Sequence, residues 1–227
     1  MKAVIGNGLI GQHVQRIVEP DHVFTSTNID QLGDYDTVYC AAPTSNRIWA
    51  TQNEQQDLDN INQLIETIGQ AEIGRFVLFS TCDTQIKPYS AYGKNRLWLE
   101  TFVSSNYSDY TILRLPMIVH KTITKNILWD ICNQSEWIHK INPNSMLQWF
   151  DLDQLSHVLD TQEPILNVCS EPILCKDIIQ EFAPELLDQL DYSQKGESYN
   201  LQPYGYTQAE IFNSMKIYLN TLHKKEL

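Results

Sequence analysis

Three glycines lie near the start of the chain in the spacing G-x-G-x-x-G: Gly6, Gly8 and Gly11, enclosing Asn7, Leu9 and Ile10. The run follows a short apolar stretch at 2–5. It precedes Leu9, Ile10, Val14, Ile17 and Val18, which recur at helical spacing until Pro20. Between a strand and a helix, this spacing suits one kind of chemistry. The first glycine permits a tight turn, the second lets a diphosphate approach the backbone, and the third lets helix and strand pack closely. The amides of the first helical turn, at the positive end of the helix, then hold negative charge. The six residues are therefore a candidate cradle for the diphosphate of a dinucleotide. The competing reading is a plain strand–turn–helix with incidental glycines.

In a dinucleotide-binding unit the second strand usually ends in an acid that accepts from the ribose hydroxyls and repels a 2′-phosphate. Here the stretch is Thr25-Ser26-Thr27-Asn28, which has no acid. Thr27 and Asn28 are the candidate ribose-side residues, and the missing repulsion leans toward NADP over NAD. No Arg or Lys stands there to secure a phosphate, and a solvated polar turn is the alternative.

Strand-like runs at 22–25, 37–41, 75–79 and 111–115 alternate with helical stripes at 57–68 and 92–103. Such alternation predicts an α/β fold: a Rossmann-like doubly wound parallel sheet with helices on both faces. Ala41, Ala42 and Pro43 end the third run, and Pro116 ends the last. Beyond it the elements shorten: helices at 126–132, 153–159, 177–182 and 208–222, strands at 146–150 and 165–168. They predict a small mixed C-terminal lobe, so the expected division is 1–120 for the dinucleotide-binding core and 121–227 for a substrate-side lobe, in one domain overall.

The segment Pro88-Tyr89-Ser90-Ala91-Tyr92-Gly93-Lys94-Asn95-Arg96, followed by Glu100, resembles the active-site segment of the extended short-chain dehydrogenases, whose pattern is Y-G-x-S-K followed by a Glu. Tyr92, Gly93 and Glu100 match; Asn95 replaces the usual Ser and Arg96 the catalytic Lys. VYCAAP at 38–43, RFVLFST at 75–81 and ILRLP at 112–116 agree with the family in order. In the helix over 57–66, Asp57 and Gln63 stand where the family has two Asn. The resemblance covers roughly residues 1–120 and points to the nucleotide-sugar epimerases and reductases. It implies Tyr92 as acid/base, Thr81 as the hydroxyl that orients the substrate oxygen, and Arg96 as the cation. A phenol near pKa 10 needs such a cation to act as a base at neutral pH. Arg keeps the charge of Lys but differs in shape and does not release a proton readily. The simpler readings are Tyr92 as a helix-start tyrosine, Thr81 as a strand end, and Arg96 as a surface cation paired with Glu100 at i,i+4. After the strand, Thr81-Cys82-Asp83 departs from the Thr-Asp-Glu of the 4,6-dehydratases, which argues against that reaction.

A formal charge of −12 excludes nucleic acid and anionic membrane surfaces as partners. Five cysteines without a C-x-x-C pair fit a reducing compartment, and six scattered histidines give no metal-ligand spacing. No segment has the length and apolarity of a signal peptide or membrane span, so a cytoplasmic location is expected. Trp129, Trp137 and Trp149 read as core residues, with stacking on a base or sugar as the alternative. The expected partner is a small molecule such as a nucleotide-sugar, and a homodimer is compatible. Two functions remain open: an NAD(P)-dependent epimerase or reductase, and an NAD(P)-binding regulator or structural protein whose active site has degenerated at Arg96.

Overall fold

The strands of the first half carry apolar side chains on both faces, the pattern of a sheet buried on two sides. A computed structural model describes residues 1–223. In chain order its elements begin with β1 (Lys2–Ile5), α1 (Leu9–Val18), β2 (His22–Phe24), β3 (Tyr35–Cys40), α2 (Arg47–Gln52), α3 (Glu54–Ile68), β4 (Ile73–Thr81), α4 (Asp83–Ile86), α5 (Ala91–Asn106) and β5 (Tyr110–Leu115). They continue with β6 (Met117–Val119), α6 (Ile127–Cys132), β7 (Met146–Leu147), β8 (Trp149–Asp151), α7 (Ser156–Leu159), β9 (Ile165–Asn167), β10 (Ile173–Leu174), α8 (Cys175–Phe182) and α9 (Gln208–His223). The chain divides into two units, Met1–Leu115 with Leu155–Leu166, and Pro116–Gln154 with the chain from Asn167 onward.

The first unit is built on a six-stranded sheet in the order β2-β1-β3-β4-β5-β9. Its pairs β1/β2, β1/β3, β3/β4 and β4/β5 are parallel. Because side chains alternate along a strand, Ala3, Ile5, Val38, Cys40, Phe76, Leu78 and Ile112 share one face. There they form a core with Ile61, Leu64 and Ile68 of α3 and Leu99 and Val103 of α5. Val4, Tyr39, Val77, Phe79 and Leu113 point the other way and are also buried. Each fully buried aliphatic side chain contributes about 1.5–3 kcal/mol, so two such faces hold the unit together. This is the Rossmann-like fold expected from the alternation.

Three details differ from the sequence reading. The sixth strand, β9, was expected in the C-terminal lobe, yet it pairs at the β5 edge of the main sheet. Its short apolar run is too generic to indicate a partner. On the helical stripe at 57–68, the core-facing position of the first turn is a carboxylate, Asp57, and its apolar neighbour Leu58 is only half-buried. The run at 146–150 is two strands, β7 and β8, that join different partners: β7 pairs antiparallel with β10, and β8 parallel with β6.

The second unit is the small mixed lobe. Helix α9 begins with a reciprocal cap: the Thr207 amide donates to Glu210 Oε2 at 2.8 Å, and the Glu210 amide to Thr207 Oγ1 at 3.3 Å. Tyr218 on that helix is buried and donates from its hydroxyl to the Ile123 carbonyl at 3.2 Å. Trp149 is fully buried, as the core reading expects, whereas Trp137 is half-exposed with the Lys140 ammonium 4.0 Å above its ring.

Candidate functional site

In an open parallel sheet, ligands bind beyond the carboxyl ends of the strands, where the chain order reverses. Here β1 has β2 on one side and β3 on the other, so that point lies between the ends of β1 and β3. The glycine turn leaves β1 there. The Gly6 amide donates to the Phe24 carbonyl at 2.7 Å, and the Ala41 amide to the Ile5 carbonyl at 2.7 Å. Ala41, Ala42 and Pro43, all half-buried, therefore run beside the turn at the end of β3.

The three glycines are needed for different reasons. Gly6 has φ +104°, and a Cβ there would lie 2.8 Å from the Ala41 carbonyl oxygen. A Cβ on Gly11 would overlap the Gly6 carbonyl, so only glycine lets α1 start this close to β1. A Cβ on Gly8 would meet nothing within 4 Å. Gly8 thus borders open space at the N-cap of α1, beside the first-turn amides of Leu9, Ile10 and Gly11, which have no intrahelical acceptor by helix geometry. The turn is held from behind: Gln12 Nε2 donates to the Asn7 carbonyl at 3.0 Å and Gln15 Nε2 to Asn7 Oδ1 at 3.3 Å. This arrangement fits a diphosphate at Gly8.

The turn after β2 is closed by Asn28. Its Oδ1 accepts from the Thr25 amide at 2.7 Å and from Thr25 Oγ1 at 3.1 Å, and its Nδ2 donates to the Val23 carbonyl at 3.2 Å. The Asn28 side chain shapes the turn, and Ser26 and Thr27 are left exposed at its tip. Thr25 Oγ1 and Thr27 Oγ1 lie 2.8 Å apart.

Thr81 is the last residue of β4, and its Oγ1 accepts from the Asp83 amide at 3.2 Å. Tyr92 lies in the first turn of α5. Ser90 caps that helix, accepting from the Gly93 amide at 3.0 Å. A Cβ on Gly93 would overlap the Lys87 carbonyl and lie 2.8 Å from the Asp83 carbonyl. The glycine after the tyrosine therefore lets α5 begin against the end of the β4–α4 segment. Tyr92 is 7% exposed. Its hydroxyl is pushed above the ordinary phenol value, first by burial and then by the charges of Asp83 and Asp57, with Arg96 opposing.

The pairing of Arg96 with Glu100 expected of a surface cation is absent. Arg96 is buried, its side chain 5% exposed, and it turns to Asp57 on α3: Nη1 donates to Oδ2 at 2.8 Å and Nη2 to Oδ1 at 3.0 Å. Nη2 also donates to the Thr44 carbonyl at 2.8 Å. Glu100 is taken instead by Arg114 of β5, through Nη2 at 2.5 Å and Nε at 3.0 Å, and by Ser80 Oγ at 2.5 Å. At i,i+4 the two residues do share a helix face, but each finds a stronger buried partner from another element. Asn95 joins the first pair, with Nδ2 at 3.0 Å from Asp57 Oδ2 and 3.2 Å from the Glu54 carbonyl. The Arg96 guanidinium carbon lies 4.5 Å from the centre of the Tyr92 ring.

The sequence reading treated Asp57 only as a departure from a pattern and did not single out Arg47, 3.4 Å from the buried Asp83. A signal for Asp57 existed. It stands one turn before Ile61 on the stripe that continues through Leu64 and Ile68, and a carboxylate on a core-facing stripe needs a partner. Cys82 is buried, consistent with a structural thiol. Pro116, half-buried, opens the second unit directly after β5.

No protein-family model and no curated protein matches the sequence. Solved structures match over nearly the whole chain. MoeE5 in complex with UDP-glucose and NAD aligns at TM-score 0.76 and 15% identity, over 100% of this chain and 99% of that one. The dTDP-4-dehydrorhamnose reductase of Yersinia enterocolitica aligns at TM-score 0.72 and 13% identity, over 97% and 99%. The UDP-N-acetylglucosamine 4-epimerase of Methanobrevibacter ruminantium, in complex with UDP-N-acetylmuramic acid, aligns at 0.73 and 10%, over 99% and 98%. The chain has the fold of the nucleotide-sugar epimerases and reductases. At these identities the likeness establishes the epimerase–reductase fold, and the chemistry of the site rests on its own residues. Among the described residues, no helix is long and apolar enough to cross a membrane.

Proposed function

We propose that the chain binds a nicotinamide dinucleotide with its diphosphate at residues 6–11, and that Tyr92 exchanges a proton with a nucleotide-sugar in an epimerisation or reduction. The observation that carries this reading is the division of labour among the glycines: Gly6 is required by its positive φ and the nearby Ala41 carbonyl and Gly11 by the Gly6 carbonyl, whereas Gly8 borders open space beside the first-turn amides, where a diphosphate has room. The bound coenzyme gives or takes the hydride. In this reading the amides of Leu9, Ile10 and Gly11 hold the diphosphate, with Asn7 shaping the turn. Ala41, Ala42 and Pro43 flank the dinucleotide, Thr27 meets the ribose next to the adenine, and Pro116 follows the strand on the nicotinamide side. Thr81 orients the substrate oxygen. The turn at 25–28 has neither a carboxylate to reject a 2′-phosphate nor a cation to require one, so both coenzymes are admitted, with the lean to NADP resting on the absent acid. The test is a fluorescence titration with NADH and NADPH. Saturable binding that is lost in a folded Gly8→Glu variant supports the reading; no affinity for either coenzyme at millimolar concentration overturns it.

A second reading, binding without turnover, is favoured by Arg96. Three of its five donor hydrogens go to Asp57 and Thr44, so it offers less to a ribose or a phenolate than a free ammonium would. Turnover of any nucleotide-sugar in a broad panel, abolished in Tyr92→Phe, decides against it.

A further inference from the structure

Two departures in the tyrosine segment, Asn95 and Arg96, and one in the helix before it, Asp57, some 39 residues away, meet in one buried cluster. Asp57 is fully buried, Asn95 1% exposed and Arg96 4% exposed. Both carboxylate oxygens of Asp57 are used: Oδ1 accepts from Arg96, and Oδ2 from Arg96 and Asn95. A bidentate carboxylate fixes the plane of a guanidinium as well as its charge. The Thr44 carbonyl adds a third fixed point. The plane so fixed lies 4.5 Å from the Tyr92 ring centre, within cation–π range. Arg96 is thus a cation against the ring of the tyrosine, with its counter-charge, the Asp57 carboxylate, 2.8 Å from Nη1.

We propose that Asp57 is a positioning residue for Tyr92: it clamps Arg96 against the tyrosine ring and offsets its charge, so that the guanidinium is held in place without by itself drawing the phenol toward ionisation. The three departures then act as one coupled unit. This rests on the reading of Tyr92 as the proton-exchanging group. Several other charges on or beside α5 have partners of their own. Arg47 of α2 lies against Asp83 at the start of α4, Glu54 of α3 pairs with Lys94 at 3.4 Å, and Arg114 of β5 is held by Glu100. The charges that act on the phenol are Arg96, Asp83 and Asp57. Asp83 opposes ionisation as Asp57 does and lies against Arg47, whereas Asp57 holds Arg96 through both of its oxygens, so removing Asp57 takes away the bidentate partner of the guanidinium at the ring. An opposite charge at this range shifts an ionisation by about 1–3 pH units.

The test reads the phenol directly, without coenzyme or substrate, so it stays separate from the functional reading. Tyrosinate absorbance is followed against pH in the wild type, with Tyr92→Phe as the blank for the other tyrosines. In Asp57→Asn, which keeps the shape and the acceptor for Arg96, the Tyr92 midpoint should fall by about one unit or more. In a protein that turns over, the alkaline limb of the pH–kcat profile should move down with it, a shift that a purely structural loss would not produce. An unmoved midpoint in folded Asp57→Asn overturns the proposal. If that variant does not fold, the charge-free double variant Asp57→Asn/Arg96→Gln decides. If the two charges balance at the phenol, its midpoint stays within about half a unit of the wild type; a rise of more than about one unit means that Arg96 acted uncompensated, and the proposal fails. Failure of coenzyme binding would sink the functional reading and leave the titration result standing.

Discussion

The glycine turn and the start of the tyrosine helix are held by different physics. At the turn, the constraint is shape: a missing Cβ on Gly11 lets a helix begin against the Gly6 carbonyl, and no charged group is involved. At the tyrosine helix the constraint is charge. Asp57, Arg96 and Asn95 are buried together, and the next turn of α5 carries a second buried pair, Glu100 with Arg114. Shape at Gly11 is specified by a carbonyl five residues away, whereas the buried charge of Arg96 is specified by a partner 39 residues distant.

Breaking the charged region should cost most. Asp57→Ala strands the Arg96 cation in the core and should lower stability by about 3–5 kcal/mol, measured by urea denaturation; a loss under about 1 kcal/mol would show that water reaches the guanidinium. Next comes Gly11→Ala, whose added methyl overlaps the Gly6 carbonyl. A loss of about 1–3 kcal/mol is expected together with loss of coenzyme binding, and the loss should be the same at pH 6 and pH 8, as a steric contact requires. Gly8→Ala separates fold from ligand within the turn itself: stability should stay within about 0.5 kcal/mol, while coenzyme affinity drops about tenfold in the same titration.

A gentler contrast uses alkali. Burial pushes the Cys40 thiol up to about 12 and raises the Tyr92 hydroxyl above its ordinary value. The native chain keeps these protons where the unfolded chain releases them. Stability is therefore full below about pH 9 and declines as pH rises toward the folded values. Urea midpoints between pH 8 and 11 check this; a midpoint that rises over the range contradicts it. The smallest effect belongs to the turn after β2. Thr27→Asp adds a carboxylate where a 2′-phosphate would lie and should shift preference from NADPH toward NADH by about tenfold or less, with little change in stability.

Local rules explain what was legible. The glycine spacing and the Tyr92–Gly93 pair are short-range features, and each appears where its spacing puts it. The parallel sheet followed from strand–helix alternation alone. The placement of β9 could not be read, because Ile165–Asn167 is too short and plain to select an edge. Of the two readings of Arg96, the surface pairing with Glu100 fails for a different reason: the i,i+4 rule brings Glu100 within reach, but it weighs no competitor from another element. An arginine in a core-facing position goes to the carboxylate that is itself most in need of a partner, and Asp57 on the stripe of Ile61, Leu64 and Ile68 was that group.

The interlock of Gly11 with Gly6 also has a thermodynamic consequence. A turn that is already tied by packing and by Gln12 and Gln15 has little conformational freedom left to lose when a ligand arrives. In the proposed reading, association there should leave the hydrogen-exchange rates of the residue 6–8 amides nearly unchanged except where the ligand itself accepts a bond, because little ordering of the loop is left to be done.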